Sequence, residues 1–291
     1  MNNELIIDER QRELGDFIVG RLLPFRKKRA VGPFIFIDHM GPDEIGPGHY
    51  LDVDQHPHIG LSTLTYLLEG QIEHRDSMGE VQIVKKGDVG FMTAGAGVAH
   101  TERTPSSHRD GQKRQMHGYQ IWVGLPKEME QMEPEFDFVE SSDLPKWEED
   151  GIYYVLAAGK AMGHTSPLKV HSPMYLLDMD CSSDATIDLR DSLYGEISIV
   201  VTRGSIIHHG ESIGQGQMLV NVVKDSCSIE VTAGSRLLIF GGEPFPEERY
   251  LLWNFASSSK ETLQQARSDW ESRKFPKVPG DSTYIPYPGA K

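Results

Sequence analysis

Cysteine is nearly absent from the chain: Cys181 and Cys227 are the only 2 among 291 residues. Two cysteines cannot make a disulfide framework, and neither stands in the C-x-x-C spacing of a zinc ribbon. Each falls on its own expected strand and reads as a small buried hydrophobe rather than a nucleophile. Long apolar runs are missing too. Stretches such as Leu237-Leu-Ile-Phe240 are strand-sized, far short of the roughly 18 residues a membrane span needs. The start, Met1-Asn-Asn-Glu-Leu-Ile-Ile-Asp-Glu-Arg10, has neither the basic opening nor the apolar core of a secretory signal. Together these absences point to a cytoplasmic, reduced protein without a membrane segment. Positive charge is also scarce, with 29 Lys and Arg against 43 Asp and Glu and a formal net charge of -14. Nucleic-acid affinity comes largely from cations meeting phosphates, so direct binding of nucleic acid is not expected. The one basic cluster, Arg26-Lys-Lys-Arg29, reads as a solvated loop.

What is present is ordinary globular material in a β pattern. Hydrophobic residues make up 38% and Gly numbers 29, which excludes low-complexity disorder. Domains average roughly 100–200 residues, so this length suits two. Phe34–Ile37, Thr63–Leu68, Val81–Val84 and Tyr119–Val123 are β-branched or aromatic runs bounded by Gly or Pro. Turn signals recur every 8–12 residues or so, favouring an all-β barrel or sandwich over βαβ units. From Glu128 to Asp150 the chain is crowded with acids, has Lys146 as its one cation, and carries Pro134 and Pro145. That stretch reads as a connection with little core of its own. The expected division is 1–130, an acidic connection 131–150, and 151–291.

A weak internal repeat supports two similar halves. Leu67-Leu-Glu-Gly70 leading to His74 matches Val201-Thr-Arg-Gly204 leading to His208, and Gly87-Asp88 matches Gly216-Gln217. Thr93-Ala-Gly95 likewise pairs with Thr232-Ala-Gly234. Their common order suggests duplicated β-domains. One helix is expected late, from the capping pattern Ser258-x-x-Glu261 through Leu263, Ala266 and Trp270 to Arg273, with Pro276 preventing continuation. The tail after Gly280 looks strapped down by Tyr284 and Tyr287.

Histidine carries the chemistry. Of 12, eight lie before residue 118: His39, His49, His56, His58, His74, His100, His108 and His117. His56-Pro-His58 and His100-Thr-Glu102 are both i, i+2 pairs, and on a strand such residues point to the same face. Pro57 suits an edge strand or a strand start. Brought together in one barrel, the two pairs would offer three imidazoles and one carboxylate. That set suits Fe, Mn, Ni, Cu or Zn, and the lack of thiolate argues against a structural zinc. About two positions of an octahedral ion would stay open to substrate, water or dioxygen. Gln120 and Trp122 share a strand face and are candidates for the pocket wall, with core packing the simpler role for Trp122. Alone, each pair also has a bland reading as same-face surface residues; their joint presence in one β-domain is what favours a site.

These residues carry a family resemblance. Gln55-His-Pro-His-Ile-Gly60, His74-Arg-Asp-Ser77, and Met92-Thr-Ala-Gly-Ala-Gly97 followed by His100-Thr-Glu102 resemble the metal motifs of the pirin family of cupins. Gly32-Pro-Phe34, Asp38-His-Met-Gly-Pro42 and Trp253-Asn-Phe-Ala-Ser-Ser258 are similar to it as well. The resemblance spans nearly the whole chain. It implies an all-β bicupin, two tandem double-stranded β-helix barrels with a short C-terminal helix. It further implies one divalent metal, Fe(II) foremost, held by His56, His58, His100 and Glu102. Offsets of 134 and 139 carry those positions onto Arg190, Ser192, Ile239 and Gly241, which are no ligand set. His208 and His209 are adjacent, and on a strand they would face opposite ways. The second barrel is therefore expected to be metal-free.

The leading functional expectation is a non-haem dioxygenase that uses O2 on a small aromatic, quercetin-like flavonol, with Glu102 taking the substrate hydroxyl proton. A different class is carried beside it: a metal-containing regulator whose ion state controls docking to a protein partner, without turnover. A third is a metal-bound scaffold with incidental activity. The two-barrel length, enough for an internal core, suggests a monomer.

Overall fold

Short β-branched and aromatic runs joined by glycine turns pair into antiparallel ladders throughout the computed structural model, which describes residues 4–14, 17–189, 192–220 and 228–289. Cys227 and Arg190 lie outside the described residues. Two compact units result. One comprises Met1–Arg10, Gly20–Ile37 and Ser142–Pro244, the other Gln11–Val19, Asp38–Ser141 and Phe245–Lys291.

This division differs from the expected one at both ends of the chain. The strand Leu5–Asp8 pairs with Gln217–Val220 and so belongs with the later barrel. The helix and tail belong with the earlier barrel, because Leu263, Ala266 and Trp270 pack with Ile59, Ala99 and Phe255. The acidic stretch is also not a bare connection. Glu135–Val139 is the edge strand beside Val89–Thr93, and Lys146–Glu149 pairs with Ile152–Val155 at the far edge of the other unit's large sheet. Phe136 and Phe138 alternate with Glu135 and Asp137, so a period-2 apolar pattern lay beneath the charge.

Each unit sets a large sheet against a four-stranded one. In the histidine-rich unit the small sheet runs in the order Asp52–His58, Val98–Arg103, Gln71–Asp76, Val81–Lys85. In the other unit the corresponding order is Ala185–Asp188, Ser228–Val231, Ser205–His208, Glu211–Gly214. The duplication is thus present in topology. Gly70 and Gly204 occupy matching turns that carry the chain from a large-sheet strand to a small-sheet strand, with φ of 90° and 76°, a region favouring glycine. The third repeat match does not hold. Thr93-Ala-Gly95 precedes the His100 strand, whereas Thr232-Ala-Gly234 follows that strand's counterpart. The core of the second unit is apolar, with Ile187, Ile206, Ile229 and Val231 buried at the small sheet. Cys181 is buried in the same cluster, and burial pushes its thiol up to about 11.

The helix runs Lys260–Glu271, and its buried face is Leu263, Ala266 and Trp270, as the periodicity requires. Its cap is Ser259 rather than Ser258, accepting from the Thr262 amide at 3.2 Å. Ser258 instead donates its backbone amide to the Glu130 carboxylate at 2.8 Å. The tail is tied by Tyr284, whose ring stacks on Trp270 at 4.4 Å and whose hydroxyl donates to the Trp270 carbonyl. Tyr287 meets Trp253 edge-on at 5.5 Å.

Candidate metal centre

The small sheet of the histidine-rich unit turns one polar face inward. Asp52–His58 is an edge strand, which accommodates Pro57, since proline has no amide to give a second neighbour. In the ladders, His100 stands opposite His56 on one side and Asp76 on the other, while Glu102 stands opposite His74. Three strands therefore each present an i, i+2 polar pair: His56 and His58, His100 and Glu102, His74 and Asp76.

His56, His58 and His100 form a metal-competent group, with ligand atoms all within 4.8 Å of one another and every side chain buried. Ring centroids are 4.3 Å apart for His56 and His100, 5.0 Å for His58 and His100, and 5.1 Å for His56 and His58. Among the described residues Glu102 does not join that group. Its buried carboxylate lies 3.4 Å from the Thr65 hydroxyl, which is in turn 2.9 Å from Gln120 Oε1. Gln120 thus reaches the site through Thr65, and Trp122 meets the His58 ring edge-on at 5.0 Å.

Each imidazole is oriented through Nδ1. His56 Nδ1–H donates to the Asp54 carbonyl at 2.8 Å, and His58 Nδ1–H to the Asn254 carbonyl at 3.1 Å. The Nε2 lone pairs are left for the centre. His58 Nε2 and His100 Nε2 are buried and have no hydrogen-bond partner. An unpaired buried nitrogen costs about 1–3 kcal/mol, so two of them converging with a third imidazole fit a cation that accepts all three lone pairs. Electrostatics agrees. Burial lowers the pKa of His56 to about 4 and holds those of His58 and His100 well below the ordinary 6.5. All three are neutral near pH 7, the form that ligates a metal. Burial raises the pKa of Glu102.

A second polar arrangement lies behind His100. His100 Nδ1 lies 3.3 Å from His74 Nδ1, and His74 Nε2 lies 3.2 Å from Asp76 Oδ2. With His100 Nε2 bare, its Nδ1–H donates to His74, whose Nε2–H then donates to Asp76. Asp76 Oδ1 accepts the amides of Met78 and Glu80 at 2.9 and 3.1 Å, which anchors this relay on a turn. Phe136, from the acidic stretch, stacks on His74 at 4.6 Å. The available signal was spacing: His74-x-Asp76 repeats the i, i+2 rhythm of the other two pairs.

The expectation that His208 and His209 face opposite ways is overturned. Glu4, His208 and His209 have ligand atoms within 4.8 Å of one another. His209 has φ 51° and is a turn residue rather than a strand residue, so alternation does not apply to it.

Comparison with known proteins agrees with the geometry. The family model for pirin matches residues 16–123, and that for the pirin C-terminal cupin domain matches residues 176–276. A pirin-like protein of Caulobacter vibrioides is 39% identical over 290 residues, covering 98% of this chain and 99% of the relative. A Pseudomonas aeruginosa protein provisionally named a quercetin 2,3-dioxygenase is 36% identical, covering 91% of this chain and 82% of its own length. A crystal structure of quercetin 2,3-dioxygenase from Acinetobacter baumannii superposes with a TM-score of 0.90 at 33% identity, covering 99% of this chain and 96% of the other. The architecture is that of two cupin domains, as the sequence motifs led one to expect.

Proposed function

This chain belongs to the pirin family, and we propose that it is a non-haem metal-dependent dioxygenase opening a flavonol-like substrate with O2. The observation carrying this reading is the convergence of three neutral, buried imidazoles, two with bare Nε2 atoms, beside a buried carboxylate outside their cluster. Likeness to the Acinetobacter baumannii quercetin 2,3-dioxygenase supports the substrate class. In this reading His56, His58 and His100 hold one divalent transition metal, Fe(II) foremost, and Glu102 is its fourth ligand. The ion, when bound, would supply Lewis-acid and redox chemistry toward the substrate and O2.

The chain's own residues do the rest. Trp122 supplies an apolar wall beside His58. Glu102 takes the substrate hydroxyl proton when it stands off the three imidazoles. Burial raises its basicity in that position, whereas an adjacent cation would lower it. General-base help of this kind is worth roughly 10²–10⁴ in rate. Thr65 and Gln120 orient the carboxylate between the two roles.

The test is metal content and oxygen uptake with added quercetin for wild type and Glu102→Gln. The variant is expected to keep a substantial share of the metal and lose nearly all turnover. Normal turnover by Glu102→Gln would remove the proton-acceptor role. A metal-loaded wild type that consumes no oxygen with any flavonol would overturn the dioxygenase reading in favour of a metal-dependent partner-binding protein.

A further inference from the structure

We propose that the second barrel carries its own divalent transition-metal site, formed by Glu4, His208 and His209. It is independent of the first centre and of the activity proposed for it. The site begins with a hairpin. Ser205–His208 and Glu211–Gly214 pair with His208 opposite Glu211, leaving His209 and Gly210 as a two-residue turn. Both turn residues have positive φ, 51° and 78°, the signature of a type I′ turn. Such a turn more often carries Asn or Asp before its Gly. Here it carries His209, and the left-handed backbone swings that ring to within 4.2 Å of the His208 ring, centroid to centroid.

Glu4, just before the strand Leu5–Asp8, aims its carboxylate between the two rings. Oε1 lies 3.3 Å from His208 Nε2, and Oε2 lies 3.8 Å from His209 Nε2. The hydrogen bonding of His208 sharpens the point. Its Nδ1–H donates to the Ser228 carbonyl at 3.2 Å, so Nε2 turns a lone pair toward a carboxylate oxygen. Two lone pairs face each other, and either a proton or a cation must stand between them. A proton would make an imidazolium–carboxylate bond, whereas a cation would take both groups as ligands. Ligands about 2.0–2.2 Å from a tetrahedral ion stand roughly 3.3–3.6 Å apart. The observed 3.3 Å lies within that span.

The donor set selects the class of ion. Two imidazoles and a carboxylate suit Zn²⁺, Ni²⁺, Cu²⁺ or Co²⁺ rather than Mg²⁺ or Ca²⁺, which take oxygen ligands. The His208 side chain is 4% exposed and that of His209 53%, so one ligand is anchored inside and the other meets solvent. Water completes the shell, and the ion exchanges with the medium. Binding clips the segment before Leu5 to the Ser205–Gly214 hairpin, which makes the docking of the Leu5–Asp8 strand on Gln217–Val220 dependent on metal.

The test uses the full chain, stripped with chelator and titrated calorimetrically with Zn²⁺, in wild type, His58→Ala, Glu4→Gln and His209→Asn. Asn tolerates positive φ, so His209→Asn preserves the turn even if Glu4→Gln perturbs the chain end. Wild type is expected to bind one equivalent more than His209→Asn, and the His58→Ala protein to retain the equivalent that His209→Asn loses, at least tenfold tighter than any residual site there. Zinc should also slow amide exchange in Leu5–Asp8 in wild type and not in His209→Asn. Equal stoichiometry and affinity in wild type, His209→Asn and Glu4→Gln would overturn the proposal. So would nitrogen NMR showing both His208 ring nitrogens protonated at pH 8 in saturating zinc, the mark of an imidazolium–carboxylate pair.

Discussion

The two small sheets share a strand order and differ in what they bury. In the earlier barrel His56, His58, His74, Asp76, His100 and Glu102 fill the inward face; in the later one Ile187, Ile206, Ile229 and Val231 do. One backbone frame therefore serves two purposes. Apolar side chains at these positions repay burial at about 25 cal/mol per Å², whereas the polar set leaves two imidazole nitrogens unpaired. The lesson is that the candidate metal centre sits in a sheet that would be less stable without an ion, while its counterpart is largely an apolar core.

The strongest way to break this comparison is to remove a ligand. His100→Ala should lose the one equivalent of metal held by the three imidazoles and abolish flavonol turnover, while far-ultraviolet circular dichroism stays native. A His100→Ala, His209→Asn double variant that retains stoichiometric metal would show that the polar face is not the centre. The converse substitution belongs to the other sheet. Ile229→Ala should cost about 2–5 kcal/mol in denaturant unfolding, through lost burial and a cavity, and leave metal content at the first centre unchanged.

Acid should separate the sheets as well. In the metal-free protein the folded-state pKa of His56 is depressed from 6.5 to about 4. Between those values the unfolded chain binds a proton that the folded chain does not. Stability therefore falls as pH drops from 6.5 and levels off below about 4, at about 1.4 kcal/mol per pH unit for this residue. His58 and His100 act with the same sign. Unfolding of the metal-free protein followed from pH 7 to 4 should show that slope, and a His56→Leu variant a shallower one. The smallest expected effect lies behind His100. His74→Leu removes the acceptor of the His100 Nδ1–H and should weaken metal affinity about 10–100-fold, and by leaving that N–H and the buried Asp76 Oδ2 without their partner it should also lower the unfolding midpoint of the metal-free form. Unchanged affinity would make the Asp76–His74 relay a matter of packing alone.

Much of this site was legible in sequence because strand geometry is local. The i, i+2 spacing of His56 with His58 and of His100 with Glu102 fixed a shared face before any fold was known, and Pro57 marked an edge. Apolar spacing placed the buried face of the helix at Leu263, Ala266 and Trp270. The failures were also local in origin. Charge in the acidic stretch masked the alternation of Phe136 and Phe138. His208 and His209 read as strand neighbours in sequence because nothing in a bare sequence announces that His209 takes φ 51°.

By itself, then, the sequence determined the class of fold, the duplication, and the shared strand faces of His56 with His58 and of His100 with Glu102, all of which follow from periodicity and spacing along short segments. Tertiary structure alone decided which segments complete each barrel and which atoms orient each ligand. The Asn254 carbonyl that turns His58 is 196 residues away. Gln55, beside His56, is held by Thr283 at 3.1 Å and by the Val278 amide at 2.6 Å. Glu4 reaches His208 across 204 residues. Such contacts depend on where closed sheets bring distant backbone, and no local pattern encodes that, because chain separation and spatial separation are independent once a barrel has formed.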